Sequence, residues 1–427
     1  MYDAVVVGGG AAGLMAAGVA ARSGKKVLLL EKMEKAARKV RITGKGRCNL
    51  TNVCPREVFL SKVRSGAEFF GQAFAEFDND ALIAFFRDEG VRIKVERGGR
   101  AFPESEKAWD IAQALIDYAT EGGVEIAYYT SAVRLRTIAG RVNGVVMRNR
   151  RGFERVVESP AVIVCTGGAS YPATGSTGDG YALAHALGHR IEEVRPALVP
   201  LVSRSRLAEE LKGLKLKNVN VSLVVEGETV ASEFGEMEFG SRGIEGAIIL
   251  KLSRPAVDAI IDEKEVAIRI DLKPALTPEV IAERIEREIT AMTDSEGIAD
   301  TGFGPPDVSA ARLLRKLMPK PMIAPFAKEL GIGLRLPAER IDEEQKERII
   351  GQLKGLLIPV DDYGSFETAV VTAGGVALDE VDPATMQSKL VRGLYFAGEV
   401  LDIDADTGGY NLQVAFSTGH MAGKLKG

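Results

Sequence analysis

The residues best placed to do chemistry lie at the start of the chain. Gly8, Gly10 and Gly13 stand in the spacing G-x-G-x-x-G, with Ala11 and Ala12 between them. Glycine there lets the chain turn tightly and lets backbone N–H groups approach a pyrophosphate with no Cβ in the way. The apolar run 5–7 leads in as a strand from the centre of a parallel sheet. The alanine-rich stretch 14–22 follows as a helix with its positive end toward the phosphates. A second strand, 27–30, ends on Glu31, about 20 residues further on, where the fingerprint places an acid. Its carboxylate can accept hydrogen bonds from both ribose hydroxyls of an adenosine and repels a 2′-phosphate. The pattern predicts adenine dinucleotide binding. A tight turn in an ordinary α/β protein would explain the glycines but not the strand, helix and acid around them.

Three later stretches offer partners for such a ligand. The segment 32–41 is densely basic, with Lys32, Arg38 and Lys39, and 43–52 is small and polar, with Thr43, Gly44, Gly46, Arg47, Cys48 and Asn49. That loop is expected to wrap phosphates with backbone N–H groups while its cations balance the charge. A solvated basic face is the competing reading of 32–41. A buried strand, 161–165, runs into Thr166-Gly167-Gly168, and another, 395–397, ends on Gly398-Glu399. Finally Gly408-Gly409-Tyr410-Asn411 opens a last helix from Leu412. If those glycines bring backbone against a flavin ring, the helix dipole stabilises the anion formed on reduction.

The elements that must position these residues follow from length and pattern. A chain of 427 residues, 46% hydrophobic and 27% charged, suggests two or three globular domains. A net charge of −4 gives no global attraction for polyanions, so any such claim rests on local patches. No apolar run approaches the roughly 20 residues that cross a bilayer. The first strand begins too early to leave room for a signal peptide, and three cysteines with no metal spacing suit a reducing compartment, so a cytoplasmic protein is expected. Cys48 and Cys54 stand six apart and share no helical face, which restricts a redox disulfide to an irregular loop. His185 and His189 are four apart but lack an intervening glutamate or a third ligand, so no metal is expected.

A helix capped at Asp78 or Asn79, another over 107–121 and a β-meander over 126–158, which includes Val133, fill the stretch between the crossovers. From Arg195 the texture becomes short strands, 196–202, 216–225, 229–239, 244–250 and 265–272, suggesting a small antiparallel barrel or sandwich. Helices follow from Thr277-Pro278, over 308–317 and 321–330, and over 343–353 behind a capping box of Asp342 and Gln345. The expected division is a discontinuous nucleotide domain (1–193 plus 364–427), an inserted β domain (194–274, with 331–363 a candidate to complete it) and a helical domain (275–330).

The set is specific enough to name a resemblance. Residues 42–52 (ITGKGRCNLTN), Phe102-Pro103 with Ser105, 166–172 through 175–180, 196–201, Gly398-Glu399 and 408–411 together resemble the bacterial BaiN/RdsA family of FAD-dependent oxidoreductases. One departure is 243–247 (GIEGA), where many relatives look like G-x-S-G-P. It lies in the inserted region and bears on substrate rather than cofactor. The resemblance implies an α/β fold: a Rossmann-like, two-dinucleotide-type FAD domain with an inserted β-barrel-like domain and a small helical one. It implies a flavin reductase of activated C=C bonds, fed by NAD(P)H or another donor. Gly374-Gly375 lacks the context of a second fingerprint, so NAD(P)H is expected as a transient donor.

In that reaction reduced FAD passes a hydride to the electron-poor carbon of a uracil in ribosomal RNA, the first expectation, or of a small enone such as a 3-oxo bile acid or steroid. An amine oxidase and a non-enzymatic flavin-binding factor are the competing classes. Arg47, Tyr410 and Asn411 are the candidates for polarising or positioning, with Arg100 and Tyr171 as gating residues. Cys48 is a candidate proton donor tuned by Lys45 and Arg47, or a small residue that merely packs. RNA would need phosphate contacts from Lys35, Arg38, Lys39 and Arg41, or from Arg204, Arg206, Lys212, Lys215 and Lys217.

Overall fold

The computed structural model describes residues 1–294 and 308–426. The chain divides into two compact units, Met1–Ala197 with Ser365–Gly427, and Leu198–Gly364. In the first, five parallel strands form one sheet in the order Leu394–Phe396, Val162–Val164, Ala4–Val7, Val27–Leu30, Glu125–Ala127. The opening strand is central and every residue in it is buried, which is why it reads as an unbroken apolar run. The register Val7↔Leu30 and Val7↔Val164 brings three strand ends, and the loops that follow them, to one edge. Ligands of open α/β sheets bind at that carboxyl edge.

Helix Ala11–Arg22 packs against the final helix, Tyr410–Gly423, at unusually short range. A Cβ on Gly419 would lie 2.5 Å from the Ala12 carbonyl oxygen, and one on Gly423 2.5 Å from that of Ala16. Only glycine permits this backbone-to-backbone approach, so the last helix sets directly on the first. The β-meander of Thr130–Ile138, Arg141–Asn149 and Glu154–Glu158 turns at Gly140 and Gly152 as its sequence predicts. Strand Ile191–Ala197 pairs with Val371–Val376 and so belongs to this unit.

The second unit holds a seven-stranded antiparallel sheet in the order 356–360, 266–271, 215–225, 228–239, 243–245, 201–202, 362–363. The two strands at its ends are separated in the chain by Asp361 alone. A single residue cannot span an open sheet, so the sheet must curl until its edges meet, as a barrel does. The expected strand 244–250 is mostly absent. Gly243–Glu245 is a strand, but Ala247–Ile261 is a helix. Ile248, Ile249, Leu252, Ala256 and Ala259 recur at helical spacing and enter the barrel core, a period-3.6 signal masked by a run of β-branched residues. Helices Pro278–Asp294, Ala310–Leu317, Lys320–Leu330 and Glu343–Gly355 share that core with the strands rather than forming one of their own. The part of the expected helical domain over 295–307 lies outside the described residues.

The tight helix pair generates a test. Gly419→Val should lower unfolding free energy by about 1–3 kcal/mol, the usual cost of overpacking. A thermal melt of the variant that matches the parent would show that the two helices separate freely.

Candidate cofactor and substrate site

At the carboxyl edge of the parallel sheet the fingerprint glycines form a cradle that side chains would fill. Gly8 has φ +103°, and a Cβ on Gly13 would lie 1.8 Å from the Gly8 oxygen. Beside Gly10 there is open space, with no atom within 4 Å of where its Cβ would be. Helix Ala11–Arg22 begins on Gly10 with no side-chain cap and no acid in its first turn. Its unpaired N–H groups therefore face the space that Gly10 leaves open, an arrangement suited to phosphate.

Glu31 sits at the tip of the second strand and is almost fully buried. Its Oε2 accepts from the Gly9 N–H at 2.9 Å and its Oε1 from the Met33 N–H at 2.8 Å. Burial raises its pKa, outweighing those two hydrogen bonds. Each oxygen keeps a lone pair for a ribose hydroxyl. Lys32 turns outward to Asp179 at 2.6 Å and Thr177 at 2.5 Å, fixing the glycine-rich loop. A cavity of about 320 Å³ opens alongside, lined by Ala132, Val133, Asp179, Ala182 and Leu183 among others.

Lys32, Arg38 and Lys39 of the basic segment are spent internally, whereas Lys35 is exposed and Arg41 lies over the Trp109 ring with Nε and Nη1 unpartnered. Arg38 meets Glu34 and the Ala173 carbonyl oxygen (3.0 Å). Lys39 reaches across to Glu399 at 2.8 Å and to Ser170 Oγ at 2.6 Å. The other Glu399 oxygen accepts from the Thr372 N–H at 2.7 Å and the Ser170 hydroxyl at 2.9 Å. Burial pushes this carboxyl's pKa up, but Lys39 and these donors overcome that and hold it below the ordinary value. Gly168 lies against the same knot, since a Cβ there would meet Thr372 Oγ1 at 2.4 Å. The neighbouring Gly167 is left-handed (φ +73°), and Thr166 Oγ1 lies where a Cβ on Gly180 would sit, 2.1 Å away. Neither Thr372 nor Ser170 was singled out by the sequence. Their only signal was a place beside Gly374-Gly375 and Gly167-Gly168.

The loop 43–49 corrects two expectations. Gly44, Lys45, Gly46 and Cys48 all have left-handed backbone, so the loop is tightly coiled. It does not offer a full row of N–H groups: those of Arg47 and Cys48 are given to the carbonyls of Gly44 and Thr43. Arg47 is not a free polarising cation. It pairs with Glu96 and with Glu106 at 3.2 Å and lies 4.2 Å above the Phe102 ring. Cys48 is fully buried, and burial drives its thiol up to about 12 against the Thr43 hydrogen bond. Neither Lys45 nor Arg47 lowers it, so the tuning expected from the sequence is absent. What the loop does leave is unpartnered polarity: Asn49 Oδ1 and Thr51 Oγ1 are buried without a hydrogen bond.

The C-terminal segment closes the site. Gly398 (φ +79°) lies where its Cβ would be 2.9 Å from that of Ala12, and Gly409 (φ +101°) lies against Thr51 backbone at 2.5 Å. Gly409 thus brings the chain hard against the strand at Thr51, and the helix it opens has no side-chain cap. Tyr410 is buried edge-on to Phe59, its hydroxyl 3.9 Å from Cys54 Sγ. Burial, reinforced by Cys54, raises its pKa, so it stays a neutral phenol. Asn411 is committed to structure. It accepts from the Ala405 N–H at 3.0 Å and donates to the carbonyls of Ala405 (2.8 Å) and Asp406 (3.2 Å), which spends both of its N–H donors. Leu412 is partly buried against the same core. His189 is likewise structural, buried and bonded to Ser388 Oγ at 2.8 Å.

Sheet order, cradle and paired uncapped helices define a Rossmann-type dinucleotide-binding protein. The chain belongs to the HI0933-like family: the family described as "HI0933-like protein Rossmann domain" matches residues 2–425. It is 32% identical over 423 residues to the 3-dehydro-bile acid delta(4,6)-reductase of Clostridium scindens, covering 98% of this chain and 97% of that one. It is 27% identical over 426 residues to the ribosomal RNA dihydrouridine synthase of Escherichia coli, covering 98% and 96%. In fold it is similar to a 3-ketosteroid delta1-dehydrogenase from Sterolibacterium denitrificans (TM-score 0.55, 14% identity, 99% and 98% covered).

Two tests follow. Lys39→Met should cost about 2–3 kcal/mol, the low end for an orphaned buried charge because about a fifth of each side chain is exposed. Because the folded pKa of Glu399 is lowered, its ionisation stabilises above the unfolded glutamate value of about 4.3 and that contribution is lost as pH falls through the lowered one. Acid denaturation of parent and Lys39→Met should therefore converge at low pH; parallel curves would remove the ion pair from the argument. Cys48→Ala should keep its flavin and turn over within about twofold of the parent. A loss in the range of about 10²–10⁴ with flavin still bound would make the thiol a catalytic acid.

Proposed function

We propose that this oxidoreductase holds FAD across the carboxyl edge of its parallel sheet and reduces a C=C bond conjugated to a carbonyl. The cradle supports the cofactor: Gly8, Gly10 and Gly13 with the first helix for the pyrophosphate, Glu31 for the adenosine ribose, and the cavity beside Val133 for adenine. The Lys39–Glu399 knot and the unpartnered Asn49 and Thr51 oxygens supply polar groups along the rest of its length. Bound FAD would supply the hydride. NAD(P)H is the proposed source of electrons, a transient visitor since a single dinucleotide fingerprint is present.

The chain's own contribution is to position and to protonate. The final helix directs its positive end at the substrate side, favouring negative charge on a carbonyl oxygen as the bond is reduced. Tyr410, in the same turn with its hydroxyl 3.9 Å from Cys54 Sγ, is the proposed proton donor. Arg47, through its ion pairs with Glu96 and Glu106, and Asn411, through its bonds to 405–406, hold the surrounding loops.

On substrate, one observation carries the choice. Lys35, Arg41, Arg204 and Lys212 show no carboxylate partner among the described residues, but the other five basic residues that would meet RNA are already matched: Arg38 with Glu34, Lys39 with Glu399, Arg206 with Glu210, Lys215 with Glu238 at 3.2 Å and Lys217 with Glu236 at 3.6 Å. A polyanion would have to compete for each of them. A small enone needs no such patch. We therefore rank a steroid-like enone, the class named for the Clostridium scindens relative, above ribosomal RNA.

The test is anaerobic. Photoreduced holoprotein mixed with a 3-oxo-4-ene steroid should regain its yellow colour as the product gains two hydrogens. Silence with enones and reoxidation by unmodified ribosomal RNA would reverse the ranking; in a parallel aerobic run, peroxide formation matched to amine consumption would replace the reaction.

A further inference from the structure

The chain has a single tryptophan, Trp109, and it stands at the surface beside a cation. Trp109 lies in the first turn of helix Ala108–Glu121 and is 55% exposed. The Arg41 guanidinium rests 4.0 Å from the centre of its ring. Nε and Nη1 of Arg41 are buried without a hydrogen bond, and Nη2, bonded to no described residue, is the nitrogen still open to solvent. Burial lowers the pKa of this group, and only the neighbouring Tyr128 phenol acts the other way. No carboxylate comes to its aid.

The surplus survives a full count of the segments that meet here, 31–47 and 104–110. With the ion pairs set aside, Lys35, Arg41, Lys45 and Lys107 have no carboxylate among the described residues. Against these four stand two acids: Glu31, turned to the N–H groups of Gly9 and Met33, and Asp110, which accepts from the Ser105 hydroxyl. Nor does the cofactor account for Arg41. It follows Lys39 by two residues on helix Arg38–Gly46, and so projects about 200° away from it. Lys39 is committed to Glu399 at the cofactor site, and Arg41 faces the other way, toward helix Ala108–Glu121.

A guanidinium stacked on an exposed indole sets a flat aromatic surface beside an uncompensated positive charge. A purine that carries a phosphate close to its base uses both, the base by stacking and the phosphate by a charge-assisted bond. The first cradle refuses such a ligand, because the Glu31 carboxylate repels a 2′-phosphate. We propose that Arg41 and Trp109 bind the 2′-phosphoadenosine end of NADPH, which makes NADPH rather than NADH the electron donor. This rests on the reading that a nicotinamide nucleotide feeds the flavin, and Arg41 is in it a specificity-determining residue, remote from the hydride.

Trp109 is its own reporter. Adding 2′,5′-ADP to the oxidised holoprotein should change its fluorescence saturably, with an affinity about tenfold above that for 5′-AMP, the size of one charge-assisted contact. Arg41→Met should remove that difference, and Arg41→Lys should recover part of it. A signal that does not saturate, equal affinities in the parent, or a difference that survives in Arg41→Met overturns the proposal. Saturation by a single-stranded RNA oligonucleotide but not by 2′,5′-ADP also overturns it. Anaerobic reduction of the flavin by NADPH and by NADH runs in parallel, and a lower KM for NADPH should vanish in Arg41→Met. If neither nucleotide reduces the flavin, the donor reading fails, while the 2′,5′-ADP titration still decides for or against the site.

Discussion

The structure depends on one buried ion pair more than on any other polar contact. Lys39 and Glu399 are 360 residues apart in sequence and 2.8 Å apart in space. Around them close the helix after the second strand, the turn after the second crossover, the strand at Thr372 and the segment leading to the final helix. A half-satisfied carboxylate at this depth would be costly, so each of these pieces is held by the same need to complete its hydrogen bonds. The glycines do the complementary work. Where Gly168, Gly398 and Gly419 sit, any side chain would collide with the knot or with the first helix. Polar satisfaction and steric bareness thus define the same surface.

Much of this was legible beforehand. The fingerprint, the acid at Glu31, the two returning strands and the caps at Asp78 and Asp342 are local signals, written within a few residues and confirmed by local contacts. What was not legible is pairing across long separations. Arg47 reads as a free cation until Glu96 and Glu106 are brought to it, and Asn411 as a free amide until 405–406 folds back over it. Cys48 shows the same limit. Its sequence neighbours are basic, but its spatial neighbours are apolar, and desolvation decides the thiol. The helix Ala247–Ile261 was misread because branched side chains favour strands locally while their spacing serves a helix.

The two local basic clusters, not the net charge of −4, pointed to phosphate contacts. In the structure about half of those cations, Arg38, Lys39, Arg206, Lys215 and Lys217, are paired with carboxylates. The chain is similar over its whole length to relatives named for quite different substrates, and one fold can carry different sites.

The strand order carries a consequence for biosynthesis. The edge strand Leu394–Phe396 and the helix that seats on the first one are translated last, whereas the curled seven-stranded sheet is complete by Tyr363. On the ribosome, the insert can therefore mature while the opening crossover waits, its apolar helix face uncovered, for the final stretch to emerge. Chaperone dependence and premature-termination products should concentrate in that interval, and the half that comes out of the tunnel first is the half that finishes last.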